Sequence, residues 1–382
     1  MRVLFVASLH HPQELLNEVA QAQAIGQPAP LFPSSMAWRF WDEAMQRRGW
    51  QTAVFWRNLP AYGSRSIRRL KALKFSDRLS LGKMARAISN RIPPQIHPDI
   101  LRRNVFLAEE AARFQPDILW LVGDNRVILP HTLAELKERL GLRVVYASGV
   151  SPIVFSHSIE RQAARLYDQV YVNDYYHGIQ WLELGAPRME CLPIVAIDPI
   201  YHVPAQLSED EQRAYACDVT FVGTLLPLSL YHERVAALEK LARSFRVGIW
   251  SIHDLPDSLK PHSRGAALGR QMFRVLSGAT ISLNTHGDFM RWGGNMRLFE
   301  SAALGAFQLV DNRPGVATWF TIGEHLDTFI NLDDLHDKVA HYLAHPEQRQ
   351  HMVEAARNHV LACHTYDHRM AQVAAWAEGN NL

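Results

Sequence analysis

Short apolar runs alternate with amphipathic stretches at helical spacing along the whole chain, with one polar interruption near the middle. MRVLFVA, WQTAVFW, PDILWLV, RVVYAS, QVYVND and MECLPI read as buried strands, and MAWRFWDEAMQRRG, TLAELKERLG, ERQAARLYD and YYHGIQWLELG as the helices between them. Ser34 or Ser35 is expected to cap the first of these helices, leaving His10 to Ser35 as a long connection of the kind that often carries function. IDPIYHVPAQLSEDEQRAY, with Pro199 and Pro204, breaks the rhythm and reads as a linker. CDVTFVGTL, FRVGIWS, ISLN and AFQLV supply a second set of strands, with helices YHERVAALEKLA and MRLFESAALG. The stretch from Asp333 to Ala362 divides into two helices at Pro346, and Thr365 caps a last one. This repetition predicts an α/β protein of two Rossmann-like domains: residues 1–197, a linker over 198–216, a second domain over 217–364 and a terminal helix over 365–382.

The richest window runs from Ile281 to Gly315. A strand ends at Asn284, a loop containing His286 and the pair Gly293-Gly294 follows, and Asn295 can cap the next helix, which carries Arg297 and Glu300 on its first turns. Loops at the carboxyl edge of an open parallel sheet face its ligand crevice. A phosphate suits the helix start and Arg297, and a carboxylate at Glu300 suits sugar hydroxyls, so the group describes a nucleotide sugar; the alternative is an Arg and a Glu that are only solvated. Gly223 and Thr224 close an earlier strand where a small residue would let a donor phosphate approach the backbone. Trp250 ends another strand and either lies against a nucleobase or fills the core.

These residues also carry a resemblance. NMRLFESAALGAFQLVDNRPGVATWF, IGEHLDTFINLDDL, YLAHPEQR and HTYDHR resemble the carboxyl-terminal domain of group 1 glycosyltransferases of the CgeB-like, spore-maturation kind. The likeness runs from about Leu192 through His368 and includes LPIVAIDPIYHVP and CDVTFVGTL. It implies a GT-B fold: two Rossmann-like domains facing across a cleft, the nucleotide sugar held mainly by the second, and a terminal helix crossing back to the first. By the same resemblance Glu300 binds the donor's ribose. One position departs from the pattern: many group 1 transferases carry a further Glu eight residues earlier, toward the donor sugar, where this chain has Trp292. The donor's identity and the handling of its sugar are therefore not fixed by the resemblance.

Length and composition agree with two soluble domains: 382 residues, 48% hydrophobic and 20% charged, with no apolar run near the ~18 residues of a membrane span. The amino terminus passes straight into strand pattern and does not read as a signal peptide, and Cys191, Cys217 and Cys363 are too few and too scattered for a disulfide framework, so a cytoplasmic location is expected. Charge is unevenly spread. Residues 1–197 hold 24 Lys plus Arg against 17 Asp plus Glu, and the remainder 16 against 21. Tyr62 to Asn104 holds 11 basic residues against Asp77 and Asp99, and Leu81, Met84, Ala85 and Ile88 suggest an amphipathic helix there. Such a face would suit an anionic or membrane-associated acceptor, placing the protein peripherally at a membrane, or it is an ordinary solvated surface. Without interleaved aromatics it does not suit nucleic acid.

Two residues of the first half are candidates for taking a proton from an acceptor hydroxyl: His11, beside His10 after the first strand, and Asp124 after the third. The alternatives are exposed loop histidines and a turn-stabilising Asp. His364 and His368 read as structural. With no Asp-x-Asp pair, H-E-x-x-H, Walker loop or G-x-G-x-x-G, neither a metal nor a cofactor is expected beyond the donor itself. The leading expectation is metal-independent transfer of a sugar from a nucleotide-sugar donor to a hydroxyl acceptor, with Arg297 offsetting leaving-group charge. A nucleotide-sugar epimerase and a degenerate, non-catalytic binding or scaffold protein of the same fold are the alternatives.

Overall fold

The computed structural model describes residues 1–59, 92–149 and 151–379. It contains two compact units: residues 1–172 with 177–192, and residues 173–176 with 193–382.

The first unit is built on strands β1 (Arg2–Ala7), β2 (Gln51–Trp56), β3 (Ile118–Val122), β4 (Arg143–Ser148), β5 (Gln169–Val172) and β6 (Met189–Cys191). All pair in parallel, in the order β2-β1-β3-β4-β5-β6. Val3 through Ala7 are all buried, because helices cover both faces of a parallel sheet and each strand is apolar throughout. One face packs Leu4, Val6, Leu119 and Leu121 with Leu107, Leu133 and Trp181. Phe5, Trp120 and Tyr171 point to the other, where Phe32, Trp38 and Trp41 meet Phe5 and Trp120.

Two expectations for this half change. The interval from His10 to Ser35 is not a long loop, since Pro12–Ala24 is a helix. Nor do Ser34 and Ser35 cap the next one: their hydroxyls donate to Glu18 and Glu14 of that helix, both at 2.6 Å, and the following helix begins at Trp38. The amphipathic helix expected around Leu81–Ile88 and the basic run from Arg65 to Arg91 lie outside the described residues. Arg103, from the same basic stretch, is buried on the helix Pro98–Phe114, where it donates to the carbonyls of Arg57 (2.6 Å) and Leu59.

The second unit has strands β7 (Val219–Val222), β8 (Val247–Trp250), β9 (Ser282–Asn284), β10 (Gln308–Asp311) and β11 (Asp327–Phe329), also parallel, in the order β11-β10-β9-β7-β8. Helices Leu228–Ala242 and Leu332–Ala344 cover one face through Leu238, Leu241, Leu335 and Val339. On the other, Leu298, Phe299 and Ala302 of the helix Arg297–Ala303 pack against Ala356 and Val360 of the helix Pro346–Cys363. Within residues 198–216, Ser208 caps a short helix, Glu209–Tyr215, whose Glu211 completes the capping box and pairs with Arg274. The last helix, Tyr366–Ala377, is capped by Thr365 and falls within the second unit. No described helix is long and apolar enough to cross a membrane.

Each sheet reverses its winding once, at β1 and β3 in the first and at β7 and β9 in the second. Loops diverge at such a point and leave a crevice at the carboxyl edge, where open α/β sheets bind ligands. In the first unit that edge is tied by Glu160, fully buried, which accepts from the amides of Asn125 (2.6 Å) and His157 (2.9 Å) and from the Tyr146 hydroxyl (2.7 Å). Glu160→Ala would take a shared acceptor from the Asn125 and His157 amides and the Tyr146 hydroxyl at once and is expected to cost ~3 kcal/mol or more in urea unfolding of the full chain. A loss below about 1 kcal/mol, the net worth of one ordinary hydrogen bond, would contradict this role.

Candidate active site

In the second unit the polar residues of the carboxyl edge form a connected network. Arg234 comes from the helix Leu228–Ala242 and bridges the switch point: Nη1 donates to the carbonyl of Thr224 after β7 (2.7 Å), and Nη2 and Nε donate to the carbonyl (2.5 Å) and Oγ1 (3.1 Å) of Thr285 after β9. Its guanidinium lies over the rings of Tyr231 and Phe221, and burial pulls its pKa down to about 10, which still leaves it charged at neutral pH. Gly223, between β7 and Thr224, donates its amide to Trp250 O at 3.0 Å, and a Cβ there would press the Phe221 ring.

Four side-chain amide contacts then close a ring from β9 to the next helix. Asn295 Nδ2 donates to Asn284 Oδ1 (2.8 Å), Asn284 Nδ2 to Gln308 Oε1 (3.1 Å), Gln308 Nε2 to Leu298 O (3.0 Å), and Leu298 N to Asn295 Oδ1 (3.2 Å). Asn295 thus holds the start of the helix that carries Arg297 and Glu300. Those two pair directly, Nη1 to Oε2 at 2.7 Å, with side chains 17% and 10% exposed. Burial raises the Glu300 pKa, and Arg297 only partly offsets it. This is a buried carboxylate whose burial is only partly offset by its partner, a common mark of a ligand-binding group.

The intervening loop is fixed from beneath. His286, fully buried, directs Nδ1 to Asp311 Oδ1 at 2.7 Å, and its Nε2 accepts the amide of Gly294 at 3.2 Å, which makes Nδ1–H the donor to Asp311. Asp311 also takes the His286 amide (3.0 Å) and Arg313 Nε (2.8 Å). Burial would raise the Asp311 pKa, but His286 and Arg313 outweigh it and hold it at about 2. Asp174, fully buried, accepts the amides of Trp292 (2.8 Å) and Gly293 (3.1 Å) on Oδ2. Gly293 and Gly294 have φ of 103° and 113°, and a Cβ on Gly294 would overlap the carbonyl of Asn173. A cavity of 400 Å³ opens beside this group, lined in part by His232, Glu233, Thr285, Asp311 and Arg313. A larger one of 680 Å³, between Ser277–Thr280 and the helix Pro346–Cys363, lies at the opposite, amino edge of β9 and β10 and gathers none of these residues.

In the first unit Arg57, buried, has the part that Arg234 has in the second. It donates to Ser8 Oγ after β1 (3.0 Å) and to the carbonyls of Val122 and Gly123 at the end of β3. The next residue, Asp124, has φ of 66°, which L-residues adopt rarely, and its Oδ1 meets His157 Nε2 and Arg126 Nε, both at 3.0 Å. Burial works to raise its pKa, but these partners hold it below the ordinary carboxylate value. His11 is exposed, at the start of the helix Pro12–Ala24, without a capping bond from its side chain.

The structure therefore groups Gly223, Thr224, Asn284, His286, Asn295, Arg297 and Glu300 at one edge of the second sheet. Trp250 is instead 3% exposed and packs with Cys217, Ala267 and Val275, so the core alternative describes its place. Arg234, Asp174, Asp311 and His157 are the members that sequence reasoning passed over. Only His157 carried a local signal: with Glu160 it makes a capping box at the helix Ser158–Gln162. His364 donates Nε2 to Trp319 O at 3.0 Å and accepts from Arg369 on Nδ1, contacts that fix structure.

Comparison with known proteins gives this architecture a class. A sucrose-phosphate synthase from Thermosynechococcus elongatus superposes with a TM-score of 0.61 at 11% identity, over 99% of this chain and 98% of that one. The Anabaena protein HepE, solved with UDP-glucose, superposes with a TM-score of 0.59 at 11% identity, over 99% and 100%. The fold is that of the GT-B glycosyltransferases. Residues 233–375 match the glycosyl transferase-like family, and the chain is 25% identical over 286 residues to the spore protein CgeB of Bacillus subtilis, covering 69% of this chain and 83% of that protein. In sequence the chain is thus similar to a CgeB-like glycosyltransferase of the group 1 kind.

The Asp311 geometry yields a signed pH prediction. A carboxylate held at about 2 contributes stability that is complete above the ordinary range near 4 and is lost as pH falls toward 2. Asp311→Asn is expected to cost about 2 kcal/mol at neutral pH, with the gap to wild type closing below pH 4 in chemical unfolding. A pH-independent gap would show that Asp311 acts through packing alone.

Proposed function

We propose that the chain moves a sugar from a nucleotide-sugar donor to a hydroxyl acceptor without a metal ion, the donor being held at the carboxyl edge of the second sheet. The observation that carries this reading is the buried Arg297–Glu300 pair beside the Asn284–Asn295 contact at the end of β9. Glu300 suits vicinal ribose hydroxyls, and exchanging part of its contact with Arg297 for them offsets the cost of its burial. Arg297 is then released toward diphosphate oxygens, with Arg234, three of whose five N–H groups are engaged, as the second positive group. As the glycosidic bond breaks, charge grows on the diphosphate, and fixed guanidinium groups stabilise it there. In the first unit the Asp124–His157 pair is the group best placed to take the acceptor's proton, ahead of the exposed His11. The basic run from Arg65 to Arg91 would draw in an anionic or membrane-associated acceptor from the cytoplasmic side.

A melting screen against nucleoside diphosphates tests the donor half, starting with uridine diphosphate. A ligand at 100 times its Kd should stabilise by about 2.7 kcal/mol. Glu300→Gln is expected to weaken the best diphosphate about tenfold, or ~1.4 kcal/mol, while the fold stays intact. Because burial raises the Glu300 pKa, the free protein loses stability as pH rises through that value. Glu300→Gln cannot ionise, so its melting temperature relative to wild type should climb as pH rises above the ordinary carboxylate range. Arg297→Lys should lower the rate of diphosphate release with an acceptor present more than it lowers donor affinity, since a lysine cannot reproduce a bidentate contact. Unchanged diphosphate affinity in folded Glu300→Gln would remove the ribose assignment, and normal turnover in Arg297→Lys would remove the bidentate contact.

A further inference from the structure

Three large aromatic side chains meet at the surface of the second unit. Tyr175 and Tyr176 are 40% and 47% exposed, and both rings close on the half-buried Trp292, with centroids 5.3 and 6.1 Å away and planes at 42° and 80°. Rings set at such angles form a shallow cup. The backbone beneath it is fixed by a single buried carboxylate. Asp174 accepts the amide of Tyr176 on Oδ1 (2.9 Å) and that of Trp292 on Oδ2 (2.8 Å), so it binds both halves of the cup. The Trp292 carbonyl takes the amide of Gly315 at 2.7 Å, and the indole lies so close over Gly315 that a Cβ there would overlap its Cδ1 and Nε1. Charged groups stand at the rim: Arg291, with its side chain 60% exposed, lies 3.6 Å from Glu233. Exposed aromatic surface on so firmly held a backbone is ready to receive a ligand without ordering cost.

We infer that Trp292, Tyr175 and Tyr176 form a saccharide subsite that stacks against the apolar C–H face of a pyranose ring, with Arg291 and Glu233 available to its hydroxyls. Aromatic faces carry partial negative charge and the ring C–H groups partial positive charge, so the contact gains electrostatic energy beyond the area buried. The sugar is either the one the donor carries or part of a saccharide acceptor. The donor arm rests on the reading under Proposed function; the acceptor arm does not.

Titration calorimetry on the full chain would compare uridine, adenosine and guanosine diphosphates with their hexose conjugates, and saturation-transfer NMR would use a panel of methyl hexosides alone. The wild type is expected to bind one nucleotide sugar at least tenfold more tightly than its diphosphate, or to show saturation transfer to ring protons of a hexoside. Trp292→Ala should cut that gain below twofold and leave diphosphate affinity within twofold. Tyr175→Ala and Tyr176→Ala should each lose part of it, and Trp292→Phe should retain most. Variants that keep full saccharide binding would overturn the subsite. So would variants that lose diphosphate affinity in the same proportion, which would make the cup a nucleobase site. A wild type with no sugar response in either arm would also overturn it, and its binding of the bare diphosphates would then judge the donor reading separately.

Discussion

Where parallel strands end, their last carbonyls and the amides of the following loops lose their ladder partners, and this chain supplies new ones from buried ionic side chains. Arg57 does so at the switch point of the first sheet, joining the exits of β1 and β3, and Arg234 does so in the second, joining the exits of β7 and β9. A guanidinium suits this task because its planar fork reaches two carbonyls at once and stays charged when buried. Carboxylates do the converse for amides: Glu160 gathers those of Asn125 and His157, and Asp174 those of Tyr176, Trp292 and Gly293. Loops that would otherwise move are set in place, and the crevice side chains inherit that order.

Burying these charges is expensive, and how far each is compensated separates scaffold from site. Asp311 has His286 and Arg313 against it, and together they more than cancel its loss of hydration. Glu300 has Arg297 alone and remains in deficit. A group left in deficit beside a crevice persists only where the surrounding structure holds it, and a ligand can complete what the protein leaves unmade. By this criterion the His286–Asp311 pair is structural, although a buried His–Asp contact resembles catalytic machinery. Its Nε2 is already occupied by the Gly294 amide.

The strands were legible because a sheet covered on both faces demands continuous apolar runs, and the window from Ile281 to Gly315 was legible because its Gly pair, cap and charged turn are local features. The helix Pro12–Ala24 escaped notice because its apolar stripe, Leu15, Leu16, Val19 and Ala22, is narrow and only Leu15 on it is buried. Ser34 and Ser35 looked like caps, but the carboxylates of Glu14 and Glu18 compete for the same hydroxyls from a helix that the pattern did not reveal. Arg234, Asp174 and Arg57 were missed for a shared reason. Most of their partners are backbone atoms brought together by strand order, and neither topology nor backbone position is written in side-chain spacing.

Net charge points away from the half proposed for the donor. Residues 198–382 carry 16 Lys plus Arg against 21 Asp plus Glu, a balance that repels a diphosphate at long range, while residues 1–197 carry the basic excess. At physiological salt such fields fade within about 8 Å, so what a bound anion meets is the local arrangement. There Arg234 and Arg297 sit in partly desolvated positions where each N–H bond is stronger than in water, and the carboxylate beside Arg297, Glu300, is already paired with it. Capture of the proposed donor thus depends on a few preset contacts at one sheet edge, and the spread charge of the first half acts over the longer distances relevant to an acceptor's approach. The two halves divide short-range and long-range electrostatics between them, which neither the overall charge of +2 nor any single motif expresses.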